Sequence, residues 1–222
     1  MEYAMRRLPA FALMLPFALV PLLASASNYD KINGSVHVDA GQHAGDIRTV
    51  NGSVGIDANA IVQDARTVNG SVELGEKAQA DDIRTANGSI RLGPQSRVNG
   101  TVKTANGRIL LDKNASVAGH VSNVNGHIEL IDAYVGNGLE TTNGGIDVGA
   151  GSRIKGGILF NRPNGNYTDD RLPHVVIGPH AIVEGTLEFQ RPVVLDVSDS
   201  AQIGPVKGAT PVKFSGNEPP TD

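Results

Sequence analysis

Apolar and polar residues alternate along most of the chain, in stretches too short for an ordinary sheet and too regular for loops. Val36 and Val38, Val54 and Ile56, Val72 and Leu74, Ile90 and Leu92, Ile109 and Leu111, Ile128 and Leu130, and Ile146 and Val148 each flank a single residue. That residue is polar or small in every copy but one, Leu110. A period of two marks a strand with one buried face. The pairs themselves return every 18 or 19 residues. Further columns keep the same step: Ala60, Ala78, Ser96, Ala115 and Ser152; Val62, Ala80, Val98, Val117 and Ile154; and Val50, Val68, Ala86, Ala105 and Val124. The aliphatic columns are read as core.

The last of these columns precedes an Asn-Gly dipeptide, at Asn33, Asn51, Asn69, Asn87, Asn106, Asn125 and Asn143. Asn-Gly suits a tight corner, because glycine accepts positive φ and asparagine tolerates it. Asparagines stacked at equivalent positions can also bond amide to amide. The seven are therefore read as a structural ladder.

A unit of about 18 residues cannot bury its apolar face alone; it must stack on copies of itself. The pattern predicts an all-β, single-stranded β-solenoid with turns about 4.8 Å apart. About ten turns are expected, and a right-handed coil. The expected solenoid spans residues 27–207, with an inserted loop at 161–173 and a flexible tail at 208–222. In the loop, Asn161–Pro173, alternation stops and two prolines appear. Loops on rigid scaffolds often carry binding residues, so Arg162, Tyr167, Asp169, Asp170 and Arg171 form the candidate contact site. The end turns are expected to present unpaired strand edges, which invite another strand. End-to-end self-association follows as an expectation.

Composition refines this picture. The 222 residues include 27 glycines and only 4% aromatics, suiting a thin aliphatic core. At the N-terminus Arg6 and Arg7 precede an apolar run, Leu8–Leu23, and then Ala24-Ser25-Ala26. This is the form of a secretory signal peptide, residues 1–26. The expected product is periplasmic or secreted and has no transmembrane segment. The absence of cysteine excludes disulfides and thiolate metal sites. The formal net charge of −4 disfavours nucleic acid as a partner. Asp46, Asp64 and Asp82 form one charged column, and Arg48, Arg66, Arg84 and Lys103 another, read as a self-compensated solvated face.

The segment Val176-Ile177-Gly178-Pro179, Ala181, Val183, Gly185, Leu187, Val194, Leu195 and Ala201–Gly204 resembles the bactofilins, and the Asn-Gly repeats resemble exported adhesin-like β-helices. The resemblance is one of repeat rhythm over residues 30–207, and it implies a polymer-forming β-helix. Bactofilins work on the cytoplasmic side, so the signal peptide departs from that pattern.

Two enzyme readings compete. Val50, Ile56, Val62, Val68, Leu74, Ala80, Ala86, Leu92 and Val98 fall every six residues, a spacing similar to hexapeptide acyltransferases. Those enzymes use a histidine base, but His37, His43, His120, His127, His174 and His180 are read as surface residues that share no column and cluster with no carboxylates. Polysaccharide lyases and hydrolases on β-helices need larger side loops than these minimal turns. No catalytic, cofactor-binding or metal residue is assigned, and no cofactor. The expected function is a noncatalytic structural or assembly protein that polymerises through its end turns. The alternative is a carbohydrate- or surface-binding adhesin module, with a cell-surface or polysaccharide partner.

Overall fold

A computed structural model describes residues 27–163 and 172–219. The expected signal peptide, residues 1–26, lies outside the described residues. The described chain is a β-solenoid of about nine turns with roughly 19 residues per turn and no helix. Two parallel sheets are each ten strands deep and a third is seven. The first sheet runs from Ser27–Asn33 to Val206–Lys207, the second from Val36–Val38 to Pro211–Phe214, and the third from Gln79–Ala80 to Gln202–Ile203. Isolated bridges His43 to Ile61 to Gln79 extend the third sheet toward the first turns.

Register follows the sequence period. Val54 pairs with Val72 and Ile56 with Leu74; Ile90 pairs with Ile109 and Leu92 with Leu111. Like therefore stacks on like, and the column residues Ile56, Leu74, Ile90, Leu92, Ile109 and Leu111 are among the most deeply buried side chains. Burial of such a side chain stabilises by about 1.5–3 kcal/mol. Ala133 and Val135 fill the places in the third sheet between Ala115/Val117 and Ser152/Ile154.

One expected core column faces outward instead. Val50, Val68 and Val124 are 40%, 43% and 40% exposed. The inward position is one residue earlier, at Thr49, Thr67, Thr85, Thr104, Asn123 and Thr141, all buried. At five of these six positions the reason is a hydrogen bond; the buried Thr141 hydroxyl makes none. The Thr49, Thr67, Thr85 and Thr104 hydroxyls donate to the carbonyls of Gly34, Gly52, Gly70 and Gly88 in the preceding turn at 2.8–3.0 Å, and Asn123 Nδ2 donates to Gly107 at 3.3 Å. With Val50 and Val68 outside, the six-residue spacing does not describe the inward face.

The two corner chemistries also separate. At Gly52, Gly70, Gly88 and Gly107 a Cβ would meet the carbonyl oxygen of the preceding corner glycine at 2.0–2.3 Å. Backbone crowding between turns, more than positive φ, requires glycine there; in the Asn-Gly corners only Gly34 and Gly126 have positive φ. Left-handed backbone lies at another corner, where Gly41, Asn59, Lys77, Gln95, Asn114, Asp132, Gly151 and His180 occupy successive turns with φ of 46–74°.

Past residue 141 the core changes. Thr141 pairs with Phe160 and Phe160 with Phe189, so aromatics replace the threonines, with ring centroids 6.3 Å apart. The coil passes the 161–173 segment without losing register: Val148 pairs with Ile177, Ile154 with Val183 and Ile158 with Leu187. The coil also extends beyond Lys207. Pro211–Phe214 pairs with Val194–Ser198, and Phe214 is buried, so the start of the expected tail is a strand of the final turn.

Candidate functional site

The asparagines make a continuous amide ladder. Nδ2 of Asn51, Asn69, Asn87, Asn106, Asn125 and Asn143 each donates to Oδ1 of the asparagine one turn earlier, at 2.6–3.0 Å. Asn33 begins the ladder, and its Oδ1 accepts from Asn51. At the other end Arg191 Nη1 donates to Asn143 Oδ1 at 3.2 Å and to the Thr142 carbonyl at 3.5 Å. A guanidinium can only donate. Arg191 therefore fixes the direction in which all seven amides point.

The ladder stops where the expected loop leaves the coil. Val124, Asn143, Asn161, Arg162, Pro163 and Gln190 are among the residues that line a groove there. Asn161 Nδ2 also donates to Glu140 Oε1 at 2.7 Å. Of the candidate contact residues, Arg162 thus stands beside the last ladder amide. Tyr167, Asp169, Asp170 and Arg171 lie outside the described residues. The sequence did not single out Asn161, Gln190 or Arg191. Register identifies them: with Phe160 opposite Phe189, residues 161 and 190 are neighbours one turn apart.

The outward titratable side chains follow one geometry over much of the rod. An arginine or histidine pairs diagonally with a carboxylate two residues beyond its partner in the next turn. His37 stands opposite Gly55 and contacts Asp57 at 3.1 Å; His120 stands opposite Gly138 and contacts Glu140 at 3.2 Å. Arg91 reaches Asp112 at 2.8 Å, and Arg153 reaches Glu184 at 2.5 Å. His127 reaches Asp147 at 2.7 Å, and Arg108 contacts Glu129. His174 approaches Asp196 at 4.0 Å. A glycine opposite a histidine leaves room for the ring: a Cβ on Gly55 would meet His37 Nδ1 at 3.0 Å, and one on Gly145 would meet His127 Nδ1 at 2.6 Å.

This corrects the reading of the histidines as isolated from carboxylates and from one another. Four of the six pair across turns, and His127 and His174 occupy one column with Gly145 between them. His37, Asp39 and Asp57 also form a cluster whose ligand atoms lie within 4.8 Å of one another, a spacing that one divalent cation could bridge. His37 and Asp39 are exposed, and Asp57 is half-buried. The sequence signal was a separation of one repeat plus two residues.

The N-terminal charged columns pair within a turn instead. Arg48 meets Asp46 at 2.6 Å, Arg66 meets Asp64 at 2.5 Å, and Arg84 meets Asp82 at 3.5 Å. Asp82 also accepts from the Thr101 backbone N–H at 2.6 Å and its hydroxyl at 2.8 Å. The backbone donor is the main reason its carboxyl sits below the ordinary aspartate value. Partial burial opposes this, while the Thr101 hydroxyl and the Arg84 charge add to it.

No helix among the described residues is long and apolar enough to cross a membrane. Comparison with family models, with curated proteins and with solved structures finds no match. The class defined by the geometry is the parallel β-solenoid with an outer asparagine ladder.

Proposed function

We propose that this chain is an exported, noncatalytic structural rod that serves as a scaffold outside the cytoplasm. One observation carries the reading: ladders run in register from the first turn to the last, across the inserted segment, and fix every outward side chain on a lattice about 4.8 Å apart. Such a body presents repeated side chains along a line. The arginine start, apolar run and small-residue motif of residues 1–26 support export, and the repeat rhythm shared with bactofilins and adhesin-like β-helices accords with a structural role. The polymer-forming version requires the end turns to accept another turn, so the residues there bear directly on it.

Photo-crosslinking residues placed in the outward columns of the exported protein test the scaffold. Crosslinks to surface protein or polysaccharide concentrated along one face support it. Turnover of cell-wall or exopolysaccharide fragments by the purified chain overturns it.

The groove beside Asn143 favours a second reading, a carbohydrate-binding adhesin module. The amides of Asn143, Asn161 and Gln190 and the Arg162 guanidinium supply donors and acceptors suited to sugar hydroxyls and carboxylates. Glycan-array binding abolished by Arg162→Ala with Gln190→Ala supports this reading. Undiminished binding removes the groove from it.

A further inference from the structure

Each end turn places a lysine in a column that is buried through the interior turns of the rod. Lys31 pairs with Thr49 and so heads the column of Thr49, Thr67, Thr85 and Thr104. Its Nζ donates to the Ser35 carbonyl at 2.9 Å, across the first Asn-Gly corner. At the other end Lys213 pairs with Val197, which is completely buried, and stands exposed on the last strand.

The last turn also lacks a donor. In the second sheet the residue at the Val36 position sends its N–H to the following turn: Val36 to Ser53, Val54 to Ser71, Val72 to Ser89, Ile90 to Arg108 and Ile109 to His127, all at 2.8–3.0 Å. In the final turn that position is Pro211, opposite Leu195, and proline has no N–H. That one bond among those between successive turns cannot be made from there.

The apolar cross-section is well covered in the first turn and covered in part in the last, where Ile203 and Val206 of the inward columns are half-buried. Val36 and Val38 in the first turn are 2% and 1% exposed, and Phe214 in the last is 4% exposed. The exposed apolar residues of these turns, Ile32 and Val212, stand in the outward columns of Val50 and Asp196, on the sides of the rod.

We infer that both ends of the rod are closed against a second copy of this chain, so that it exists at one fixed length and meets partners through its sides. Continuing the coil head to tail would set Pro211 against Val36 of a second copy and Lys213 against Val38. Lys31 of that copy would enter the same interior near Gly208. Two ammonium groups would be enclosed without a counter-charge, a strongly unfavourable burial. Inward lysines and edge prolines are among the devices by which sheets avoid edge-to-edge growth. This replaces the end-to-end association expected from the repeat alone, and it holds whether the sides bind protein, sugar or nothing.

The test expresses the full chain and compares the purified protein with the variant Lys31→Thr/Pro211→Ile/Lys213→Val, which restores the column residues at both ends. Analytical ultracentrifugation over a wide concentration range gives mass, and electron microscopy gives rod length. The native protein is expected to stay at one length, and the variant to form head-to-tail multiples. Native rods that lengthen with concentration overturn the inference. So does a variant that folds, by circular dichroism, yet stays at a single length. If the triple variant does not fold, Lys31→Thr and Pro211→Ile/Lys213→Val are made separately and mixed. Each alone is expected to remain single and the mixture to pair; a mixture that stays single overturns the inference as well.

Discussion

The rod has two recurring corners, and they obey different rules. The Asn-Gly corner keeps nearly the same residues in seven turns, although its backbone is mostly ordinary. The other corner adopts left-handed φ in turn after turn, yet accepts glycine, asparagine, lysine, glutamine, aspartate and histidine. The first is fixed by what it touches. Corner glycines lie against one another's carbonyls, threonine hydroxyls reach those carbonyls from inside, and asparagine amides join outside. The second is fixed by its backbone, whose N–H groups bond the next turn, as from Lys77 to Pro94 and from Gln95 to Lys113, while most of its side chains face solvent, so each residue there bears its own conformational cost of about 1–2 kcal/mol. Repetition of identity along this chain therefore marks side-chain and corner-glycine contact between turns, not local strain.

The sharpest way to break the comparison is to place a methyl group at each corner. Gly88→Ala sets a Cβ about 2.0 Å from the Gly70 carbonyl oxygen, backbone against backbone, and is expected to cost on the order of 4 kcal/mol in urea unfolding. Gln95→Ala at the other corner keeps φ near 58° and should change stability by less than about 0.5 kcal/mol. Equal losses would mean that the corners do not differ as described.

Next in size is the inner bond. Thr85→Val keeps the shape but takes the donor from the Gly70 carbonyl, with an expected loss of about 1–3 kcal/mol. Asn87→Ala removes one bond to Asn69 and one from Asn106 on the exposed side, with an expected loss of about 1–2 kcal/mol. Should Asn87→Ala exceed Thr85→Val, the outer ladder rather than the buried hydroxyls is the stronger tie.

The smallest effect concerns Asp82, beside a turn where the coil lengthens from 18 to 19 residues. Its folded carboxyl titrates below the unfolded value of 3.8, mainly through the Thr101 N–H. A depressed carboxyl contributes stability that is fully present above the unfolded value and lost as pH falls through the lower folded value. Urea midpoints measured from neutral to acidic pH should therefore fall less steeply below about pH 4 for Asp82→Asn than for the native chain. Identical acid limbs would show that the Thr101 contact is not made in solution.

Much of this was legible in the sequence. The period located nearly every core pair of the second sheet, from Val36/Val38 to Ile146/Val148, because stacked parallel strands repeat side chains in place. It also placed the asparagine ladder. What it misassigned has a common cause. Val50 and Val68 look like core because they are aliphatic and periodic, while Thr49 and Thr67 look like surface because they are polar. Only the nearby glycine carbonyls reverse the two. The histidine–carboxylate diagonals were hidden in the same way, since the partner stands one repeat and two residues away.

The chain alone therefore determined the coil, its register and the amide row, because a period in sequence becomes an identity in space once turns stack. Which side of each corner faced inward, how the rod ends and where the groove forms were decided only by the assembled turns. Those properties depend on distances between atoms of different turns, such as a glycine oxygen within reach of a hydroxyl or a lysine where the column would otherwise be buried. No single repeat contains them.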